Sequence, residues 1–413
     1  MATLLYNIKE LFGTHSANEI LRGNALANLP SLKDAYVIVE GEEIAAFGRM
    51  DELKHKPNDF NESLDATGKL MLPSWCDSHT HLVFAGSREG EFVDKIKGLS
   101  YADIAAKGGG ILASAKELAE ASEDELFVQS YKRLQEIISL GTGAVEIKSG
   151  YGLSVEGELK MLRVIKRLKS AAKIPIKSTF LGAHAFPAEY KEAKEDYIKL
   201  TIEKMLPQIA AEGLADYIDA FCEEGFFTPE QTERICLAGK AYGLKPKLHV
   251  NQLNSIGGIQ TGVKLGAVSL DHLETMTEDD IEILAKAKST IGTLLPSAAF
   301  FLRMNYQPAR KMIDAGCAVA LASDFNPGSS PSGNMNFVVA LSCIQLRMSP
   351  EEAVNAATLN GAAAMESQHE AGSIATGKKA NLLLTKPVPA LAYLPYSFGS
   401  NLLERVMLCG DWK

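Results

Sequence analysis

Between about residues 73 and 330 an apolar, β-branched run of strand length gives way to a polar-studded stretch, and the alternation recurs eight times. The runs are "LMLPSWCDSHTH", "GTGAVEIKSG", "IPIKSTFLGAHAF", "ADYIDAFCEEGFF", "KPKLHVNQL", "AVSLDHLE", "STIGTLLPS" and "AVALASDFNPGSS". Most of the stretches between them carry helical periodicity, as in "SVEGELKMLRVIKRLKSAAK". Strands joined by crossover helices run parallel, and eight such units predict an α/β chain closed into a (β/α)8 TIM barrel.

The ends of the chain read differently. "DAYVIVEGEEIAAFGRM" near the start and "AGSIATGKKANLLLTKP" and "NLLERVMLCGDW" near the end alternate in short steps, the pattern of antiparallel strands. They predict a small β-sandwich domain made from residues 1–70 and 372–413, leaving 71–371 to the barrel. Before the last strands, "SPEEAVNAATLNGAAAM" opens with Ser-Pro and acidic residues, which marks a helix N-terminus.

With 413 residues, 46% hydrophobic and 23% charged, the chain can bury one large core and a smaller one. A net charge of -9 without a basic cluster argues against nucleic acid or an anionic membrane as partner and favours a small molecule. No run approaches the ~18 apolar residues of a membrane span, and the N-terminus lacks a signal-peptide pattern, so a cytoplasmic protein is expected. Six scattered cysteines without a C-x-x-C pair predict reduced, mostly buried thiols.

In such a barrel, chemistry gathers where strands end at the C-terminal face. His79 and His81 close the first run, His184 the third, His249 the fifth, His272 the sixth and Asp324 the eighth. Because strand side chains alternate, His79 and His81 point the same way and make a two-point clamp. A lone His-x-His is often a mere solvated face. Five of eight histidines at equivalent strand ends instead predict a metal site. The other three, His15, His55 and His369, read as surface residues.

"DSHTHLVFAGSREGEF", "GGGI", "EIKSGYGL", "TFLGAHAFPAEY", "KLHVNQL" and "SDFNPGSSP", in that order over nearly the whole chain, resemble the imidazolonepropionase family of the amidohydrolase superfamily. The resemblance implies hydrolytic ring opening of 4-imidazolone-5-propanoate to N-formimidoyl-L-glutamate in histidine degradation, by a metal-activated water. It implies one divalent metal per subunit, zinc or iron, on His79, His81, His249 and Asp324, and a homodimer. Lys148 in "EIKSGYGL" is then structural, or a support for the metal ligands from behind them, rather than a metal bridge.

Carried over residue by residue, Asp324 also moves the proton, His272 orients the water, and His184 polarises the carbonyl. Gln252 holds a ring nitrogen or the water. Some members of the family have glutamate there, and a neutral amide cannot act as base, which leaves that duty to Asp324 and His272. Asn251 likewise stands where an acidic residue is expected. Arg88 is a bidentate receptor for the substrate's propionate, with Tyr151 and Tyr101 adding phenol hydrogen bonds. Asn326, Gly328 and Ser329, in a turn-rich loop, match residues that touch substrate or product.

Two other readings compete. A deaminase of a purine, pyrimidine or related ring would share barrel and metal but has no use for a carboxylate receptor at Arg88. A non-catalytic assembly protein on the same barrel would be expected to have lost ligands, and all four are present.

Overall fold

The computed structural model describes residues 2–15, 18–99 and 109–413. Five strands precede the barrel: β1 (Ala2–Phe12), β2 (Ser31–Glu40), β3 (Glu43–Arg49), β4 (Glu62–Asp65) and β5 (Lys69–Pro73). The barrel strands are β6 (Trp75–Thr80), β7 (Thr142–Lys148), β8 (Ile176–Ala183), β9 (Tyr217–Cys222), β10 (Lys245–Val250), β11 (Ser269–His272), β12 (Ile291–Leu294) and β13 (Val319–Leu321). The chain ends with β14 (Leu382–Pro387), β15 (Leu403–Leu408) and β16 (Asp411–Trp412).

The terminal strands form one mixed sheet in the order β16-β15-β14-β5-β1-β2-β3, with β4 also on β1. Its own core gathers Leu5, Ile8, Leu11, Val37, Val39, Ile44, Met71, Leu382, Leu384 and Met407. Strands β6 to β13 pair in sequence order, all parallel. Each of the eight predicted runs contributes a barrel strand.

One run divides. "LMLPSWCDSHTH" reads as a single strand, but β5 and β6 belong to different sheets. At Ser74 the chain changes neighbours: Ser74 N–H donates to Asn381 O at 3.0 Å, and Trp75 N–H donates to Gly141 O at 2.9 Å. Pro73, which has no N–H to give a ladder, stands at the break.

The barrel closes between its first and last strands, where the site forms. Thr80 bridges Phe325, His81 N–H donates to Phe325 O at 2.9 Å, and Asp324 N–H donates to His79 O at 3.0 Å. Below them the buried Asp77 accepts from Ser323 twice, from N–H at 2.9 Å and from the hydroxyl at 2.5 Å. His79, His81 and Asp324 are therefore neighbours across a seam.

Helix Pro350–Ala357 starts as its sequence predicts, capped by Ser349 in a reciprocal box with Glu352. All six cysteines are free, and all but Cys343 are buried. Among the described residues no helix is long and apolar enough to cross a membrane. His55 and His369 are exposed, but His15 is not simply a surface residue. It is half-buried, with Nε2 2.9 Å from Asn355 Oδ1.

The seam gives a test. Asp77→Ala strands the buried N–H and hydroxyl of Ser323, which should cost about 2 to 4 kcal/mol. Urea denaturation of metal-free protein reads the loss, and an unchanged midpoint would mean that Asp77 does not hold the barrel closed.

Candidate active site

The site begins with the tautomers of two histidines. His249 Nδ1 lies 2.9 Å from Asp219 Oδ2, and His79 Nδ1 lies 2.7 Å from Asp271 Oδ2. A carboxylate only accepts, so each Nδ1 carries the proton and each Nε2 keeps its lone pair. Those lone pairs converge. His249 Nε2 is 3.3 Å from His81 Nε2, while Asp324 Oδ1 is 3.5 Å from His79 Nε2 and 3.6 Å from His81 Nε2.

Burial, then the positive charge of Lys148 and of the neighbouring imidazoles, holds His79, His81 and His249 well below the ordinary histidine value. His79 Nε2 is buried without a hydrogen-bond partner among the described residues, and its lone pair, that of His249 Nε2 and the Asp324 carboxylate crowd one point, which calls for a cation. The separations also suit one. Four ligand atoms about 2.0–2.1 Å from a common centre define a tetrahedron with edges of about 3.3–3.4 Å. His79, His81, His249 and Asp324 thus fit a divalent metal.

Backbone strain brings the fifth histidine in. Asp271 and His272 are consecutive, yet both turn toward the cluster: Asp271 meets His79, and the His272 ring lies 5.6 Å from that of His79. Alternation along a strand forbids this. His272 has φ 87°, which swings its side chain inward, and the tolerance of such strain at a site is characteristic of function. Burial pulls its imidazolium down, but Glu274, 3.5 Å from Nδ1, together with Asp324 and Asp271 outweighs it and raises the value above the ordinary one. Burial lifts the Asp324 carboxyl to about 6, against the pull of His272, Asn326 and Ser329.

These groups form the floor of a cavity of about 570 Å³. His81, His249, His272 and Asp324 reach it, as do Arg88, Tyr151, His184, Gln252, Asn326, Gly328 and Ser329. Tyr101 lies outside the described residues. Arg88 leans on the bare backbone of Gly328, where a Cβ would come within 2.2 Å of Nη1. Its Nη2 pairs with Glu91 at 2.5 Å, while Nε is buried without a partner among the described residues. Tyr151 is held beside His184 by the "SGYGL" turn, whose Gly150, Gly152 and Leu153 N–H groups all donate to Glu158.

Two expected contacts change on inspection. His184 Nδ1 is 3.0 Å from Gly150 O and so carries its proton there; burial pushes the imidazolium down to about 4. In the neutral ring Nε2 is an acceptor, so His184 cannot donate to a carbonyl oxygen from that position. In the 326–329 loop, Gly328 N–H and Ser329 N–H both donate to Asn326 Oδ1 at 2.8 Å, and the Asn326 amide donates to Asp324 O and to the Ser329 hydroxyl. That hydroxyl is 3.2 Å from Asp324 Oδ2. The loop lines the cavity, but its backbone donors are spent on its own turn.

Asn251 now has an account. It adopts φ 54°, which asparagine tolerates, and its amide donates to Asp280 at 3.0 Å, turned into the βα loop. An acidic side chain there would oppose Asp280. Lys148 is also explained: its ammonium lies among Glu146, Asp219 and Asp271 at 2.7, 3.0 and 3.5 Å, and the three carboxylates hold it protonated against the pull of burial. A protonated amine cannot form the carbamate of a metal bridge.

Sequence reasoning missed Asp219, Asp271 and Lys95. Lys95 lines the cavity beside Arg88, with its Nζ 3.1 Å from Gly328 O. The two aspartates carried a legible signal, a charge in the middle of an apolar strand ("YIDAF", "SLDH"). Lys95 carried none beyond its place seven residues after Arg88 on an exposed-looking helix.

The amidohydrolase family model matches residues 70–412. An imidazolonepropionase of Flavobacterium johnsoniae is 57% identical over 412 residues, covering 100% of both chains. The structure of a triazine hydrolase variant resembles this one with a TM-score of 0.74 at 15% identity, over 100% of this chain and 94% of that one. An adenosine deaminase from Xanthomonas campestris with bound zinc gives 0.69 at 16% identity, over 100% and 92%. At such identity these two likenesses speak for the fold alone. By the family match and the full-length relative, the chain belongs to the amidohydrolase family and, within it, to the imidazolonepropionases.

Proposed function

We propose that the chain opens the ring of 4-imidazolone-5-propanoate with water to give N-formimidoyl-L-glutamate, a step of histidine degradation. One observation supports the reading most: one cavity is lined both by the imidazole–carboxylate cluster and by the Arg88 guanidinium, whose Nε has no partner among the described residues. A ring deaminase shares the barrel, as one of the structural neighbours does. It has no carboxylate for Arg88 to receive.

Three imidazole nitrogens and a carboxylate suit zinc and iron alike, and such an ion, when bound, lowers the pKa of water from about 15.7 toward about 7. The chain's own groups do the rest. Asp324 Oδ2, turned toward the Ser329 hydroxyl, receives the proton of the attacking water and hands it to the ring nitrogen as the C–N bond breaks. The carbonyl carbon leaves as a new carboxylate and the nitrogen as the formimidoyl group.

Glu274 and Asp324 favour the charged form of His272 against the pull of burial, so it, rather than His184, donates to the oxygen on which charge grows. His184 Nε2 instead accepts a ring N–H, and the Gln252 amide, also at the cavity, meets the other polar edge of the ring. Arg88 holds the propionate, with Tyr151 and Lys95 beside it.

Three outcomes are expected. Purified protein should carry about one divalent metal per chain, and His249→Ala should lose it. Elemental analysis finding two tightly bound ions, or full activity in metal-free enzyme, would contradict the assignment. Asp324→Asn should cut turnover by ~100-fold or more with a much smaller effect on substrate binding, as steady-state kinetics would show. Near-normal turnover with metal still bound would take Asp324 out of the proton path.

The third concerns Arg88. Arg88→Lys keeps the charge but loses the planar fork, and Arg88→Met loses both. Breaking the charge-assisted pair should cost about 2 to 5 kcal/mol in kcat/KM while metal content stays unchanged. The wild type should strongly prefer the intact substrate to an analogue lacking the carboxylate, and Arg88→Met should have lost that preference. A variant that discriminates by the wild-type ratio would show that Arg88 is not the receptor.

A further inference from the structure

Beneath the histidines lies a cluster of charges that the reaction does not use. Glu146 and Lys148 of β7, Asp219 of β9, Lys247 of β10 and Asp271 of β11 are all buried. Lys148 is at their centre, and the atoms it touches are particular. Its Nζ is 3.0 Å from Asp219 Oδ2, the oxygen that accepts from His249 Nδ1. It is 3.5 Å from Asp271 Oδ2, the oxygen that accepts from His79 Nδ1. One ammonium therefore stands behind two of the three imidazole ligands.

We propose that Lys148 is a positioning residue for the metal centre: a built-in cation, shared by Asp219 and Asp271, that aims both carboxylates at the Nδ1 atoms and so presents His249 Nε2 and His79 Nε2 to the ion together. Lys148 lies in a different layer from the cavity-lining residues, and its third contact, Glu146 Oε1 at 2.7 Å, is itself anchored through Oε2 to Lys247 at 2.7 Å. Without the ammonium, Asp219 and Asp271 lose the cation they share; Asp219 keeps the His249 backbone N–H and Asp271 keeps the Ser269 hydroxyl, but the two oxygens aimed at the imidazoles repel each other and turn from the rings they orient. Groups that orient metal-ligating histidines typically change affinity 10- to 100-fold when lost.

Zinc alone is the probe, in competition with a chromophoric chelator, added to metal-free protein. Lys148→Met should bind zinc roughly 10- to 100-fold more weakly than the wild type. Because a lone lysine removal leaves Glu146 uncompensated and threatens folding, Lys148→Met/Glu146→Gln is made as well; it should fold, with metal-free melting near that of the wild type, and still bind zinc weakly. Melting of the metal-free protein reads the fold and the competition reads the ligands, so a merely structural lysine would move the first and leave the second. A folded double variant with wild-type affinity would overturn the proposal. So would a double variant that cannot fold, since Lys148 would then be holding the barrel rather than its ligands. The inference rests on the divalent-metal reading, not on the substrate: a wild type that takes up no zinc would overturn both, whereas weak binding confined to the variants supports both.

Discussion

A charge taken out of water inside a barrel has to find its counter-charge there, and here that requirement disciplines everything above it. Each buried ion carries a desolvation penalty of several kcal/mol, offset only when geometry is close to ideal. Glu146, Lys148, Asp219, Lys247 and Asp271 come from β7, β9, β10 and β11, and they meet at 2.7 to 3.5 Å. A strand slipped by one residue would turn its charge into the apolar layer under the helices. Register is thus fixed by electrostatics as well as by packing, and the histidines two residues or one strand away inherit it.

Above this layer the backbone bends to place what alternation cannot. His272, Asn251 and Asp324 all have positive φ, at 87°, 54° and 54°, and all stand where a strand gives way to its loop. Each is held by hydrogen bonds or packing that a relaxed backbone would forfeit. His272 and Asp324 line the cavity, and Arg88 and Lys95, both against Gly328, line it as well. The cavity thus offers a cationic group and the imidazole–carboxylate cluster to one and the same ligand.

Much of this was legible in the sequence because period and position carry it. Eight alternating runs specify the barrel, and histidines at strand ends specify where its chemistry is. The division of "LMLPSWCDSHTH" was not legible, because both halves are equally apolar and only tertiary pairing at Ser74 separates them. Asp219 and Asp271 could have been found by asking why an apolar strand carries a charge. The role of His184 could not, since its tautomer is decided by a carbonyl 34 positions away in sequence. Nor could the loop 326–329 be read from its donors, which look free in sequence and are engaged in space.

That carbonyl has a consequence for selectivity. By accepting a hydrogen bond from His184 Nδ1–H, Gly150 O leaves the opposite nitrogen as a bare lone pair at the cavity, and Gly150 can stand so close only because it has no side chain: a Cβ would lie 2.9 Å from that Nδ1. A heterocycle that turns N–H toward His184 gains a hydrogen bond. One with ring oxygen in the same place meets lone pair against lone pair, and sites built to bind an N–H reject analogues that lack it. On the proposed placement of the ring against His184, the choice between an imidazolone and its oxygen isostere would be made by a backbone group that the ring does not touch.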